Sequence, residues 1–142
     1  MIGNTILFVA LAACTFAAEK KLELKDLPAA ARKTVEEQTK GATIKGIVKE
    51  GKSFEVETMV DGKTRDFVVA ANGTLDVVEE QTELDAIPAP AKVAILKAVA
   101  DGKITIVETL KKGSSLSYEA QYMTKAGKKK EVIVTAEGAK AK

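Results

Sequence analysis

The side chains with chemical potential in this 142-residue chain are carboxylates: 20 Asp plus Glu, against one Cys and neither His nor Trp. Without imidazole, no Ser-His-Asp or Cys-His nucleophile system, no His-ligated zinc or haem site and no imidazole general base can be assembled. Carboxylates alone can carry out glycoside hydrolysis, which needs two acids a few ångströms apart and a cleft that raises one pKa. Glu55 and Glu57 share one strand face, and Glu79-Glu80 closes another strand. Both pairs fall on a small sheet surface predicted to be solvated, so the expectation is a polar face with no catalytic residue and no enzyme. No metal or cofactor is expected either. No stretch has the acids or amides at positions 1, 3 and 5 and the closing Glu at 12 of a calcium loop. Asp61-Gly62-Lys63 and Asn72-Gly73-Thr74 are instead hairpin turns, because Asn, Asp and Gly accept the positive φ that such turns need.

The lone cysteine has a different chemistry. Residues 1–18 carry no charged side chain, and the apolar run 6–13 is too short to cross a bilayer, at roughly 8 residues where about 20 are needed. The segment is predicted to be a signal peptide, although residues 1–5 contain no Lys or Arg. Leu11-Ala12-Ala13-Cys14 resembles a bacterial lipobox, which would make Cys14 the lipidated first residue of the mature protein. The alternative is ordinary cleavage after Ala17, which discards Cys14. Both routes predict an exported protein, either a periplasmic or outer-membrane lipoprotein or a secreted one. Neither leaves a disulfide within the mature chain.

Charge bounds the partners. With 22 Lys plus Arg the formal net charge is +2, too balanced for affinity built on phosphate neutralisation, so nucleic acid is not expected as a partner. Contact with a membrane is expected only through a lipid anchor. Residues 22–81 are net acidic and residues 82–142 net basic. Lys111-Lys112 and Lys128-Lys129-Lys130 fall at turns, where lysines keep a sheet protein soluble and block edge-to-edge pairing.

The elements that position these residues emerge from a repeat of about 60 residues. Leu24-Lys25-Asp26-Leu27-Pro28-Ala29-Ala30 is echoed by Leu84-Asp85-Ala86-Ile87-Pro88-Ala89-Pro90. Each copy continues into a helical stretch ending in glycine, Gly41 or Gly102, with Asp26 or Asp85 before the proline as its start signal. The apolar stripe of the second helix is predicted at Val93, Leu96, Val99 and Ala100, and that of the first at Leu27, Ala31 and Val35. Short Val-, Ile- and Thr-rich segments then alternate with Gly-containing turns, the pattern of antiparallel hairpins. Strands are predicted near 42–49, 53–60, 64–71 and 74–80 in copy one, and near 103–110, 115–123 and 129–136 in copy two. The fold class is therefore α+β, with two tandem units over 22–81 and 82–142. Each is one helix on an antiparallel meander of three or four strands, and the two are open to sharing one sheet. The fourth strand of the second unit is missing or reduced to a stub.

Period-two alternation assigns the faces. Phe54 and Val56, like Leu116, Tyr118, Ala120 and Tyr122, turn toward the helices. Glu55, Glu57 and Met59, with Glu119, Gln121 and Met123, turn away and form the candidate partner-binding face. The two methionines occupy matching positions in the copies.

The helix followed by a meander, with Phe54-Glu55-Val56-Glu57 in the second strand, Asp61-Gly62-Lys63 at the next turn and Asn72-Gly73 at the one after, resembles the PepSY-like group over residues 22–138. That group is similar to the beta-lactamase inhibitory protein in pairing two helix-plus-sheet units. The resemblance implies a non-enzymatic envelope domain that binds a protein or peptide, in some relatives a peptidase or beta-lactamase that it inhibits. The inhibitor's contact face is rich in aromatic anchors, where this chain has the six residues named above. The expected function is thus an exported binding module, inhibitor-like, acting by surface occlusion. The alternative is a structural or stress-buffering envelope protein with no dedicated partner.

Overall fold

Among the described residues, seven strands are drawn into a single antiparallel sheet by turns that sequence chemistry sets. At Asp61-Gly62 both residues have positive φ (51° and 81°), the conformation whose twist matches the strands of a tight hairpin. The computed structural model describes residues 21–141, so the predicted signal peptide and Cys14 lie outside the described residues. In the first unit α1 (Ala29–Gln38) precedes β1 (Thr43–Glu50), β2 (Ser53–Val60), β3 (Lys63–Ala70) and β4 (Leu75–Thr82). In the second, α2 (Ala89–Val99) precedes β5 (Lys103–Lys112), β6 (Ser115–Met123) and β7 (Lys129–Thr135). Strand order follows chain order, and β4 pairs with β5 from Val77↔Lys112 to Thr82↔Val107, so the two units share one sheet. Beyond β7, a single bridge between Val134 and Lys140 stands where the first unit has β4.

Both helices pack on the same face, each over its own core. The first core joins Leu27, Ala31 and Val35 to Ile47, Phe54, Val56, Phe67 and Val69. The second joins Ile87, Ala91, Ile95 and Val99 to Val107, Tyr118, Ala120, Tyr122 and Val134. The stripe predicted for the first helix stands. That for the second is corrected, since Val93 and Leu96 are exposed and the buried side of α2 runs through Ala91, Ile95 and Val99. A four-residue step repeated along the helix keeps the same side as Leu27, Ala31 and Val35 do, whereas the predicted stripe sits about a third of a turn away. Leu116, predicted to face the helices, is half exposed at the open end of β6.

The helix ends also differ from the expected caps. Neither Asp26 nor Asp85 caps its α-helix. Each lies in a short 3-10 turn that precedes the proline, where Asp26 accepts the Glu23 N–H at 2.9 Å and Asp85 pairs with Lys92. The carbonyls of Pro28 and Pro88 accept the first helical N–H bonds, from Arg32 and Lys92. At the C-terminal ends, Gly41 takes the expected positive φ, but in the second unit that conformation falls on Ala100 (φ 52°, ψ −116°) rather than Gly102. Gly102 is needed for close approach, since a Cβ there would lie 2.7 Å from the Met123 carbonyl. An L-residue at positive φ carries strain that glycine lacks. Ala100→Gly is therefore expected to stabilise the protein by about 1 kcal/mol, read as a higher urea midpoint at unchanged slope.

Candidate functional site

On the face without helices, strand register sets carboxylates side by side. Phe67 and Val78 face the first core as a cross-strand pair, so their neighbours Asp66 and Glu79, themselves paired, point the other way. Val107 and Ala120 face the second core, which turns the pair Glu108 and Glu119 onto the same open face. Gln81 stands beside Glu108, and Gln121 beside Glu131. The resulting acidic row runs across the middle of the sheet from Glu57 and Glu55 on β2 to Glu131 on β7.

All six predicted residues lie on this face, but the structure separates them into two groups. β2 and β6 are four strands apart, roughly 19 Å on a flat sheet. Met59 pairs with Thr43 and Thr64, and Met123 with Lys103 and Lys129, so the two methionines do not form a joint contact. Joining the groups are Asp66, Glu79 and Glu108, none of which the sequence places on the partner-binding face, although Glu79 is weighed with Glu80 as an acid pair. The phase of alternation signals them, because each precedes or follows a core residue of its strand.

A second correction concerns solvent. The expectation of a solvated polar face fails at its centre: Glu79 is 3% exposed, Glu108 2% and Glu119 1%, with Asp66, Val48, Val68 and Val77 buried as well. Glu55, Glu57, Met59, Gln121, Met123 and Glu131 are half-buried around them. Burial of this kind raises carboxyl pKa values, because the charged form loses its hydration. Desolvation, reinforced by Glu119, Glu108, Glu55 and Asp66, pushes Glu79 up to about 8. Desolvation with Glu131 and Glu108 brings Glu119 to about 7, against a lowering bond from Gln121. Asp66 is raised to about 6 by burial, opposed by the Thr58 N–H and helped by Glu57. Glu108 and Glu131 are raised by burial too.

Hydrogen bonds satisfy part of the row. Asp66 Oδ1 accepts the Thr58 N–H at 2.9 Å. Glu108 accepts from Thr64 Oγ1 at 3.2 Å and from Gln121 Nε2 at 3.5 Å, and Gln121 also donates to Glu119 Oε1 at 3.3 Å. Among the described residues, both carboxyl oxygens of Glu79 and Oε2 of Glu119 are buried without a hydrogen-bond partner. Such orphaned groups are rare and costly in a folded interior. Among the described residues, no three His, Cys, Asp or Glu side chains are placed to hold a metal ion.

The sequence matches no protein-family model and no functionally curated protein. The fold, by contrast, has clear counterparts among solved structures. A candidate periplasmic protein from Bacteroides eggerthii matches with a TM-score of 0.70 at 13% identity, over 82% of this chain and 86% of that one. A DUF2874 family protein from Bacteroides ovatus matches with a TM-score of 0.64 at 12% identity, over 82% and 85%. A BLIP-like protein from Bacteroides fragilis matches with a TM-score of 0.60 at 17% identity, over 80% and 82%. At these identities the likeness is one of fold, and the fold is BLIP-like.

Proposed function

We propose that this chain is a non-enzymatic, exported binding module of the bacterial envelope that occludes part of a protein partner with the helix-free face of its sheet. The observation that carries this is the face itself: seven contiguous strands free of helix, with the six predicted residues joined by buried acids into one row. A rigid antiparallel sheet presents such a surface without reorganisation on binding. Support for export comes from the charge-free leader with its lipobox-like Cys14, and from the periplasmic counterpart in Bacteroides eggerthii. Support for a protein partner comes from the BLIP-like fold. Membership of the PepSY-like group, lipidation at Cys14 and inhibition of a peptidase or other hydrolase belong to the same proposal.

The test is capture from envelope extract with the full-length chain, compared with a Glu57→Lys, Glu131→Lys variant that reverses charge at the half-buried rim. The expected result is a protein retained by the parent and reduced at least tenfold on the variant, with melting of the two chains within a few degrees. The same set of proteins on both would overturn the proposal and favour a structural or stress-buffering role without a dedicated partner.

A further inference from the structure

Glu79 and Glu119 pose the sharpest question in the molecule. A buried carboxyl oxygen without a donor loses its hydration uncompensated, and three such oxygens stand within one row. Among the described residues, donors do not fill the gap. Its two arginines are elsewhere: Arg32 lies on α1, and Arg65 faces the helices, bonded to Glu80 at 2.9 Å and Gln38 at 2.7 Å. Lys111, Lys112, Lys128, Lys129 and Lys130 are exposed at the strand ends. The charged and titratable groups facing Glu79 from neighbouring strands are Glu55 on β2, Asp66 on β3, Glu108 on β5 and Glu119 on β6, all of one sign.

We infer that this row is a receptor for a cationic side chain, specifically an arginine presented by the protein partner, whose guanidinium docks between Glu79 and Glu119. The inference rests on the binding role proposed above and names the chemistry that its face recognises. A guanidinium carries five N–H donors in a rigid planar fork matched to carboxylate oxygens, and it is less strongly hydrated than an ammonium. Two of its N–H donors match the two orphaned oxygens of Glu79, and Glu119 Oε2 stands in the same row. A compact metal ion instead needs three ligands converging on one point, which the described residues do not provide. The orphaned oxygens are themselves closed to solvent, so the half-buried Glu55, Gln81 and Gln121 around them must swing aside to admit the side chain. Docking a cation favours the ionised acids, so binding must release protons and tighten as pH rises toward 8.

The experiment titrates the full-length chain with acetyl-Gly-Arg-Gly-amide, with the neutral isostere acetyl-Gly-citrulline-Gly-amide, and separately with calcium chloride, following the side-chain carboxyl carbon signals of Glu79 and Glu119 by NMR. The expected result is saturable binding of the arginine peptide, at least tenfold weaker for citrulline, weaker at pH 6 than at pH 8, and weakened at least tenfold by Glu79→Gln. Equal binding of both peptides, no binding of either, or an equal response to calcium at lower concentration would overturn the inference. Loss of protein capture in the rim variant, together with indifference to the arginine peptide, would leave the binding role standing and remove this site. Arginine-peptide binding with unchanged protein capture would keep the site and remove the role.

Discussion

Between pH 5 and pH 9 the melting temperature is expected to fall by on the order of 15 °C, and Glu79→Gln to abolish about half of that fall. The cause is the row of raised carboxyls. An acid whose pKa is higher folded than unfolded binds its proton more tightly in the native state. Its contribution to stability is complete below the unfolded pKa and is lost as pH rises through the folded one. For Glu79 that window runs from 4.5 to about 8, for Glu119 from 4.5 to about 7, and for Asp66 from 3.8 to about 6. The part of the Glu79 interval above pH 5 alone corresponds to about 4 kcal/mol at about 1.4 kcal/mol per unit. That is comparable with the whole stability of a small protein, about 5–15 kcal/mol. At a few degrees per kcal/mol for a chain of this size, the shift in melting follows. The lowered carboxyls of Asp85 and Glu137 are exposed and act in the opposite sense below about pH 4, outside this window.

Glutamine at position 79 keeps the shape, removes the ionisation, and relieves Glu119 of its like-charged neighbour. Thermal unfolding by circular dichroism should therefore show the variant and parent close together at pH 5, with the variant melting on the order of 7 °C higher at pH 9. A flat profile for the parent, or a variant that is less stable at pH 9, would show that the row is hydrated in solution. The functional corollary is that destabilisation by ionised acids is the free energy that a docked cation recovers. A protein unstable at high pH alone and stabilised there by its ligand is what a receptor for positive charge looks like.

Local rules made most of this fold legible, and a global property hid the rest. Turn residues and period-two alternation are short-range signals, so the strands predicted at 53–60 and 115–123 coincide with β2 and β6. The same signals put Glu55, Glu57, Glu119 and Gln121 on the correct face. The buried side of α2 was harder, because Val93, Leu96, Ile95 and Val99 are all apolar and composition alone does not choose among them. The duplicated frame does: Ile87, Ala91 and Ile95 occupy the places of Leu27, Ala31 and Val35. Burial of the acids was not legible. Whether a carboxylate on a sheet face meets water depends on its neighbours two strands away, and those are set only when β4 joins β5 and the row closes from Asp66 to Glu119. The reading of Glu79-Glu80 as a strand end had the same root, since β4 continues to Thr82 to meet the second unit.

That junction makes the second large prediction. Phe67→Ala in the first unit is expected to cost about 3–5 kcal/mol and to unfold the second unit along with the first. Phe67 is 1% exposed in the first core, with the Arg65 guanidinium 5.6 Å above its ring. Truncating it leaves a cavity beneath α1 that the surrounding strands close only partly. A unit of about 60 residues buries only about 60% of its unfolded surface, so neither half has stability to spare. If the first unit unfolded alone, β5 would lose its entire pairing with β4 and expose a row of unsatisfied backbone groups at a new sheet edge. The chain supplies its own reporter: both tyrosines, Tyr118 and Tyr122, lie in the second core, and there is no Trp. Tyrosine fluorescence therefore follows the second unit, while far-ultraviolet circular dichroism follows both. The two signals should move together to a urea midpoint lower by on the order of 2 M, for Phe67→Ala and for Ile95→Ala alike. A milder Phe67→Leu variant should shift both in the same proportion, which covers the case in which the alanine variant does not fold. A fluorescence midpoint that stays in place while circular dichroism splits into two steps would mean that the shared sheet does not couple the units. The acidic row spans both units from Asp66 on β3 to Glu119 on β6, and it is rigid only if they unfold as one.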